Sequence, residues 1–277
     1  MGAALCRERA ATRPHGLSGA CEICGAAAQP IRDARPLPQR ELTAIHFRLS
    51  FSAPVDFSPC RSTNPHTTEE VHPMRKLIVA AFITLDGVMQ APGGPEEDTS
   101  GGFTYGGWIP PYADEVFGQA MQALFSEPFE LLLGRRTYDI FAGYWPHQGQ
   151  DSEDSPLADL FNSVPKHVAT HHPESIAWHN SHALGQDVSA AVSRLKQQDG
   201  ARLLTQGSGE LVRQLLAAGL VDELRLLIHP LLLGRGKRLF GDDAQAAAFT
   251  LRESAVSPNG VLIAHYVRSG EVRTGSF

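Results

Sequence analysis

The chain has 277 residues, 42% of them apolar, enough for one large globular domain or two small ones with a substantial core. Its formal charge of −6 gives nucleic acid and anionic membranes no electrostatic hold, and no stretch approaches the ~18 apolar residues of a membrane-spanning helix. The N-terminus shows no basic region followed by an apolar core, so no secretory signal is expected and the chain reads as cytoplasmic, with a small molecule as its partner.

Residues 1–73 hold eight of the 19 prolines and eight arginines but no lysine, Trp or Tyr, and no sustained hydrophobic period. Such a segment buries too little apolar surface to offset its ordering entropy. It reads as a disordered extension, or as translated upstream sequence not used in the cell; N-terminal sequencing of the native protein separates the two. The four cysteines, Cys6, Cys21, Cys24 and Cys60, all lie here. Cys21 and Cys24 could form half of a zinc site, but a second pair is missing and no histidine stands at zinc-finger spacing, so reduced thiols are preferred and no metal is expected.

From Met74 the text changes. Residues 74–277 read as one α/β domain, with strands expected at 75–83, 129–133, 166–170, 176–179, 202–206, 223–229, 249–256 and 261–268. Helical spacing falls at 112–126, 135–142, 156–162, 187–198 and 208–218, and the alternation of strand and helix implies a mostly parallel twisted sheet of about eight strands. Ser257-Pro258-Asn259-Gly260 reads as a hairpin turn that sets an antiparallel C-terminal strand at the sheet edge. Gly87–Pro111, with seven glycines and four prolines, is too interrupted for a regular element; its Phe103, Tyr105 and Trp108 favour a lid over a mobile surface loop.

Two turns carry the chemistry. Phe129-Glu130-Leu131-Leu132-Leu133 runs into Gly134-Arg135-Arg136-Thr137, and Arg202-Leu203-Leu204-Thr205-Gln206 runs into Gly207-Ser208-Gly209; each passes from strand through glycine into an amphipathic helix. A helix N-terminus leaves amide hydrogens unpaired and carries about half a positive charge, and glycine lets a phosphate approach the backbone. Arg135 and Arg136 add forked donors suited to a phosphate monoester, so the pair of turns points to a phosphorylated dinucleotide, NADPH. The plainer reading is two capped strands with solvated arginines. His167, His171, His172, His179 and His182 show no ligand spacing within one element and read as solvated or hydrogen-bonded side chains.

These residues resemble the dihydrofolate reductase-like family, and within it the group sharing the reductase domain of the riboflavin-pathway deaminase-reductase. The resemblance spans about Met74 to Arg268. It is carried by Thr84-Leu85-Asp86-Gly87, Gly134-Arg135-Arg136-Thr137-Tyr138, Gln206-Gly207-Ser208-Gly209, Gly219-Leu220-Val221-Asp222-Glu223-Leu224 and the run from His229 to Lys237. It implies a dihydrofolate reductase-like three-layer sandwich with NADPH across the C-terminal ends of the strands. Arg135, Arg136 and Thr137 would meet the cofactor phosphates, with Thr170 and His171 beside the 2′-phosphate and Gly207, Ser208, Gly209 and Glu210 at the pyrophosphate. Thr84, Gly134 and Gln206 complete the implied cofactor-binding set.

The implied activity is NADPH-dependent reduction of a pyrimidine- or pterin-like small molecule, as in the pathway's 5-amino-6-(5-phosphoribosylamino)uracil reductase. Asp86, at the end of the first strand, is the candidate orienting or proton-relaying group, against a simple turn-forming Asp-Gly pair. Glu115, Asp114, Tyr105 and Trp108 come next. The essential carboxylate of dihydrofolate reductases falls near Gly118, and the zinc pattern of the pathway enzyme's deaminase half does not occur. Dihydrofolate reductase and an NADPH-binding module without turnover are the alternatives. Arg235-Gly236-Lys237 could hold a substrate phosphate or stand as a solvated loop. A homodimer is expected, burying apolar text around Leu226–Leu233 and the C-terminal strands.

Overall fold

A computed structural model of the chain describes residues 74–149, 154–241 and 244–277. The expectations for residues 1–73, the Cys21 and Cys24 thiols among them, lie outside the described residues. Eight strands form one sheet: β1 (Leu77–Thr84), β2 (Phe129–Gly134), β3 (Lys166–Ala169), β4 (Ser181–Ala183), β5 (Arg202–Gln206), β6 (Glu223–His229), β7 (Ala248–Val256) and β8 (Leu262–Gly270). Their order is β4-β3-β2-β5-β1-β6-β8-β7. All pairs from β4 to β6 are parallel, and β8 runs against both its neighbours.

Among the described residues five α-helices cover the sheet: α1 (Glu115–Phe125), α2 (Arg135–Tyr144), α3 (Ser155–Ser163), α4 (Val188–Gln197) and α5 (Gly209–Ala217). Alternation along β1 decides the layers. Leu77, Val79, Ala81 and Ile83 pack with Val192 of α4 and Leu211, Val212 and Leu215 of α5. Ile78 and Ala80 point the other way, into Leu124 and Phe125 of α1, Tyr138 of α2 and Phe161 of α3. Because side chains alternate across a strand, a continuous apolar run feeds two cores at once, each fully buried aliphatic side chain contributing roughly 1.5–3 kcal/mol. The result is the expected three-layer α/β sandwich.

Three expectations need correction. The antiparallel strand β8 is not at the edge; it lies between β6 and β7. The long connection after β6 carries the chain two lanes outward to β7, and the turn closed by the Gly260 amide on the Ser257 carbonyl (2.9 Å) folds β8 back into the vacant lane. Residues 176–179 are not a strand. The amides of Ala177 and Trp178 donate to the Tyr138 hydroxyl (3.0 and 2.8 Å), and the Trp178 indole donates to Asn162 (2.8 Å), so this apolar pair anchors to α2 and α3. The fourth strand is instead the polar triplet Ser181–Ala183.

The third concerns the apolar run near Leu226. Leu226 and Leu227 are buried within the sheet, since β6 lies between β1 and β8. Across this run and the last two strands, the exposed large apolar side chains are Leu232, within the run, and Leu251, Val256 and Leu262 of β7 and β8.

Candidate functional site

The connections leaving β2 and β5 part company. The chain from β2 goes on through α2 and α3 to β3 on one side, while the chain from β5 goes through α5 to β6 on the other, and β2 and β5 are hydrogen-bonded neighbours. This is a topological switch point, where an open α/β sheet forms a crevice at the carboxyl ends of its strands. Helices α2 and α5 start there, one on each face of the sheet.

The two glycine turns are tied to each other. The Gly134 amide donates to the Ser208 hydroxyl at 2.9 Å, and the Ser208 amide donates to the Thr137 hydroxyl at 3.1 Å. Gly207 and Ser208 both take left-handed backbone, with φ of 71° and 57°, which turns the chain sharply into α5. A Cβ on Gly209 would stand 3.0 Å from the Met89 sulfur, so the first residue of α5 is glycine because the lid segment passes against it. Neither helix is capped by the side chain of its N-cap residue, Gly134 or Ser208. First-turn amides of both helices are therefore presented together to an anion.

Around this pair opens a cavity of about 1290 Å³. Gly134, Arg135, Arg136, Thr137, Thr170, His171, Gln206, Gly207, Ser208, Gly209 and Glu210 all line it. The Arg135 guanidinium is held by Asp139 (2.9 Å) and donates to Ser175 (2.5 Å) and the His172 carbonyl (3.3 Å), which fixes its plane. That ion pair raises its already high pKa. Arg136 is more exposed and stands 3.7 Å from Asp98. The Thr170 hydroxyl accepts from the His172 amide (3.0 Å), stabilising the turn that carries His171.

Two residues of the expected set stand apart from this wall. The buried Thr84 hydroxyl donates to Asp86 and accepts from the Val88 amide (3.0 Å). Asp86 also accepts from the amides of Gly234 (2.8 Å) and Leu233 (3.3 Å) and faces Arg238 at 3.7 Å. Burial pushes the Asp86 carboxyl up, but the Thr84 hydroxyl and the two amides outweigh it and hold it below the usual carboxylate range. A carboxylate fixed in its ionised form clamps the turn after β1 to the segment after β6; this placement fits the turn-forming reading. Asp86→Asn is expected to lower stability by about 1–3 kcal/mol, the cost of a charge-assisted acceptor lost to two amides, with kcat changed less than tenfold. Thermal unfolding and steady-state kinetics check it; a 10²-fold fall in kcat at unchanged stability would restore Asp86 as a proton relay.

The Gly87–Pro111 segment is a wall rather than a loose loop. Gln90 is buried, its amide donates to the carbonyls of Asp98 (3.0 Å) and Ser100 (2.9 Å), and the Trp108 indole donates to the Gln90 carbonyl (2.9 Å). Met89–Gly93, Glu97 and Asp98 face the cavity. The three aromatics do not: Phe103 packs with Val88 and Ala91, Trp108 lies edge-on to His229, and Tyr105 is exposed. Asp114 and Glu115 are also off the wall. Asp114 caps α1 through the Phe117 amide (2.9 Å), and Glu115 accepts from Gln119 at the surface.

Several wall residues were not read from the sequence as site residues, Glu97 foremost. Of the four carboxyl groups on the wall, Asp98 pairs with Lys237 (2.6 Å), Glu210 pairs with Arg213 and Asp187 caps α4 through the Ala190 amide (2.9 Å). Glu97 is held only by the amides of Gly93 (2.6 Å) and Gly94 (3.3 Å). Burial pushes its carboxyl up; the two amides oppose this without cancelling it, and the neighbouring Asp98 charge adds to the rise. Its only sequence signal was position within the glycine-rich segment. Lys237, flagged only as a substrate-phosphate candidate, spends its ammonium on Asp98, and Arg238 donates to the Asp86 carbonyl (2.9 Å). Among the described residues no group of three metal-ligating side chains occurs; His167 instead binds Glu130 at 2.7 Å.

Sheet order, layers and the cavity at the switch point define an open, mostly parallel α/β domain of three layers. The chain belongs to the RibD C-terminal domain family, whose model matches residues 75–263. It is 26% identical over 188 residues to the protein YyaP of Bacillus subtilis (strain 168), covering 68% of this chain and 92% of YyaP. A pyrimidine reductase-like protein from Corynebacterium diphtheriae superposes with a TM-score of 0.47 at 15% identity, over 71% of this chain and 93% of that one. A diaminohydroxyphosphoribosylaminopyrimidine deaminase/5-amino-6-(5-phosphoribosylamino)uracil reductase from Thermotoga maritima gives 0.46 at 14% identity, over 70% of this chain and 57% of its own. No helix among the described residues is long and apolar enough to cross a membrane.

Proposed function

We propose that this chain is an NADPH-dependent reductase of a small ring compound, the class that includes the pyrimidine- and pterin-like molecules suggested by the sequence. The observation that carries the reading is the pair of latched helix N-termini without side-chain caps, Gly134–Thr137 and Gly207–Glu210, with two arginines at their mouth. The amides of α2 and α5 would hold the pyrophosphate. Arg135 and Arg136, with Thr137, Thr170 and His171, would hold the 2′-phosphate. A volume of about 1290 Å³ exceeds the ~300–1,000 Å³ of a typical single-ligand pocket, leaving room for a substrate beside a dinucleotide.

When bound, the cofactor supplies a hydride from its nicotinamide. The protein's part is to orient the two partners, exclude water and supply a proton, and Glu97 is the wall carboxyl suited to hold that proton. Calorimetric titration of the full chain with NADPH and with NADH tests the reading, followed by hydride transfer to a panel of pterins and ribosylamino-pyrimidines. Equal affinity for the two cofactors would refute it.

The assembly follows from the sheet edge. Strand β7 has nine residues, seven of them exposed, and no partner beyond β8 among the described strands. Such an edge invites pairing with a second copy. Sedimentation at micromolar concentration is expected to give the dimer mass, and Leu251→Lys to shift it toward the monomer; a monomer mass for the unaltered chain counts against the pairing.

A further inference from the structure

The cavity divides by chemistry. Every described lining residue contributed by segments 100–133 and 138–168 is apolar. Phe82 of β1 and Ile109 at the end of the lid segment form one side, Met121 of α1 and Phe141 of α2 another, and Trp145 with Leu157 of α3 close it. The polar lining residues come from the lid segment, the two glycine turns, the loops after β3 and β4, Ser189 of α4, Arg213 and Gln214 of α5, and residues 237–238. One end is thus built for phosphate, and the other is a chamber of carbon.

Arg135 and Arg136 serve the cofactor in the reading above, and the remaining cations on the wall are engaged. Arg213 pairs with Glu210 and Lys237 with Asp98, while Arg238 stands 3.7 Å from Asp86. A phosphate on the substrate would compete with a carboxylate for each of them, and a buried anion without a cation is costly. Asp139 and Asp159, two residues from Phe141 and Leu157, do not line the cavity, and its acidic lining residues Glu97, Asp98, Asp187 and Glu210 lie on other segments, so the part of a ring seated in the chamber meets carbon.

From this division of the wall we infer that the second occupant of the cavity is a neutral, flat, largely hydrocarbon ring compound without phosphate, seated between α1, α2 and α3. This deepens the reductase reading and rests on it for the reaction, whereas the binding preference stands on the chamber alone.

A matched pair of probes tests it, 2-naphthol and 2-naphthyl phosphate, titrated by calorimetry into the full chain saturated with NADP⁺. The neutral ring is expected to bind at least tenfold more tightly than its phosphate ester. Leu157 is partly exposed, so Leu157→Glu should fold while weakening 2-naphthol at least tenfold, with cofactor affinity within twofold; Leu157→Met should restore binding. Equal or tighter binding of the phosphate, or 2-naphthol affinity unchanged in Leu157→Glu, overturns the inference. Failure to bind NADP⁺ would sink the cofactor reading instead, and the effect of Leu157→Glu on 2-naphthol would still decide the chamber. If that variant does not fold, the matched pair on the unaltered chain decides alone.

Discussion

Replacing both Arg135 and Arg136 with Ala is expected to abolish the preference for NADPH over NADH. Each charge-assisted contact to the 2′-phosphate is worth about 1–3 kcal/mol, so the pair should weaken NADPH by roughly 30-fold to 10⁴-fold and leave NADH within a few-fold. The two arginines act differently. Arg136 is exposed and its loss removes charge only, whereas Arg135 also braces the loop after β3 through Ser175 and the His172 carbonyl. Arg136→Ala alone should therefore leave the thermal midpoint unchanged, and Arg135→Ala should lower it slightly. Titration of each variant with both cofactors is the measurement. A double variant that keeps the preference would move the phosphate site elsewhere in the cavity.

Glu97→Gln is expected to lower kcat by roughly 10²-fold to 10⁴-fold while cofactor affinity stays within twofold, the scale of a lost acid. The amide keeps the size of the side chain and an oxygen to accept from Gly93 and Gly94, so the turn should survive. The sign with pH follows from the raised carboxyl: below its pKa Glu97 carries the proton the substrate needs, and kcat falls as pH rises through that value. In Glu97→Gln the falling limb should vanish, leaving a low and flat profile. A profile with the same limb in both proteins would assign the proton to another group.

Much of the fold was legible because burial on both faces writes long apolar runs, as in Leu131-Leu132-Leu133 and Leu77–Ile83. What misled was apolar text with a different destination. Ile176 and Trp178 alternate like a strand, yet their segment gives its amides to a tyrosine, while the true strand Ser181–Ala183 pairs through backbone and carries no apolar signature. The glycine turns were legible because anion binding by a helix N-terminus is a local property. Asp86 was not, since a carboxylate's role is set by which groups face it from distant parts of the chain, here Leu233 and Gly234; Glu97 was not, because nothing in a glycine-rich stretch marks which of its acids turns back onto the Gly93 and Gly94 amides. Spacing carries no record of that.

The position of β8 bears on how the domain is made. A chain synthesised from its N-terminus exposes β7 before β8, yet β7 hydrogen-bonds to β8 and not to β6. Until the last strand emerges, β6 has a bare flank and β7 has nothing to pair with, so the far side of the sheet closes in a single late event. A ribosome that stops within β8 would release a protein short of two strands, not one, with the edge of β6 open to any other unfinished chain.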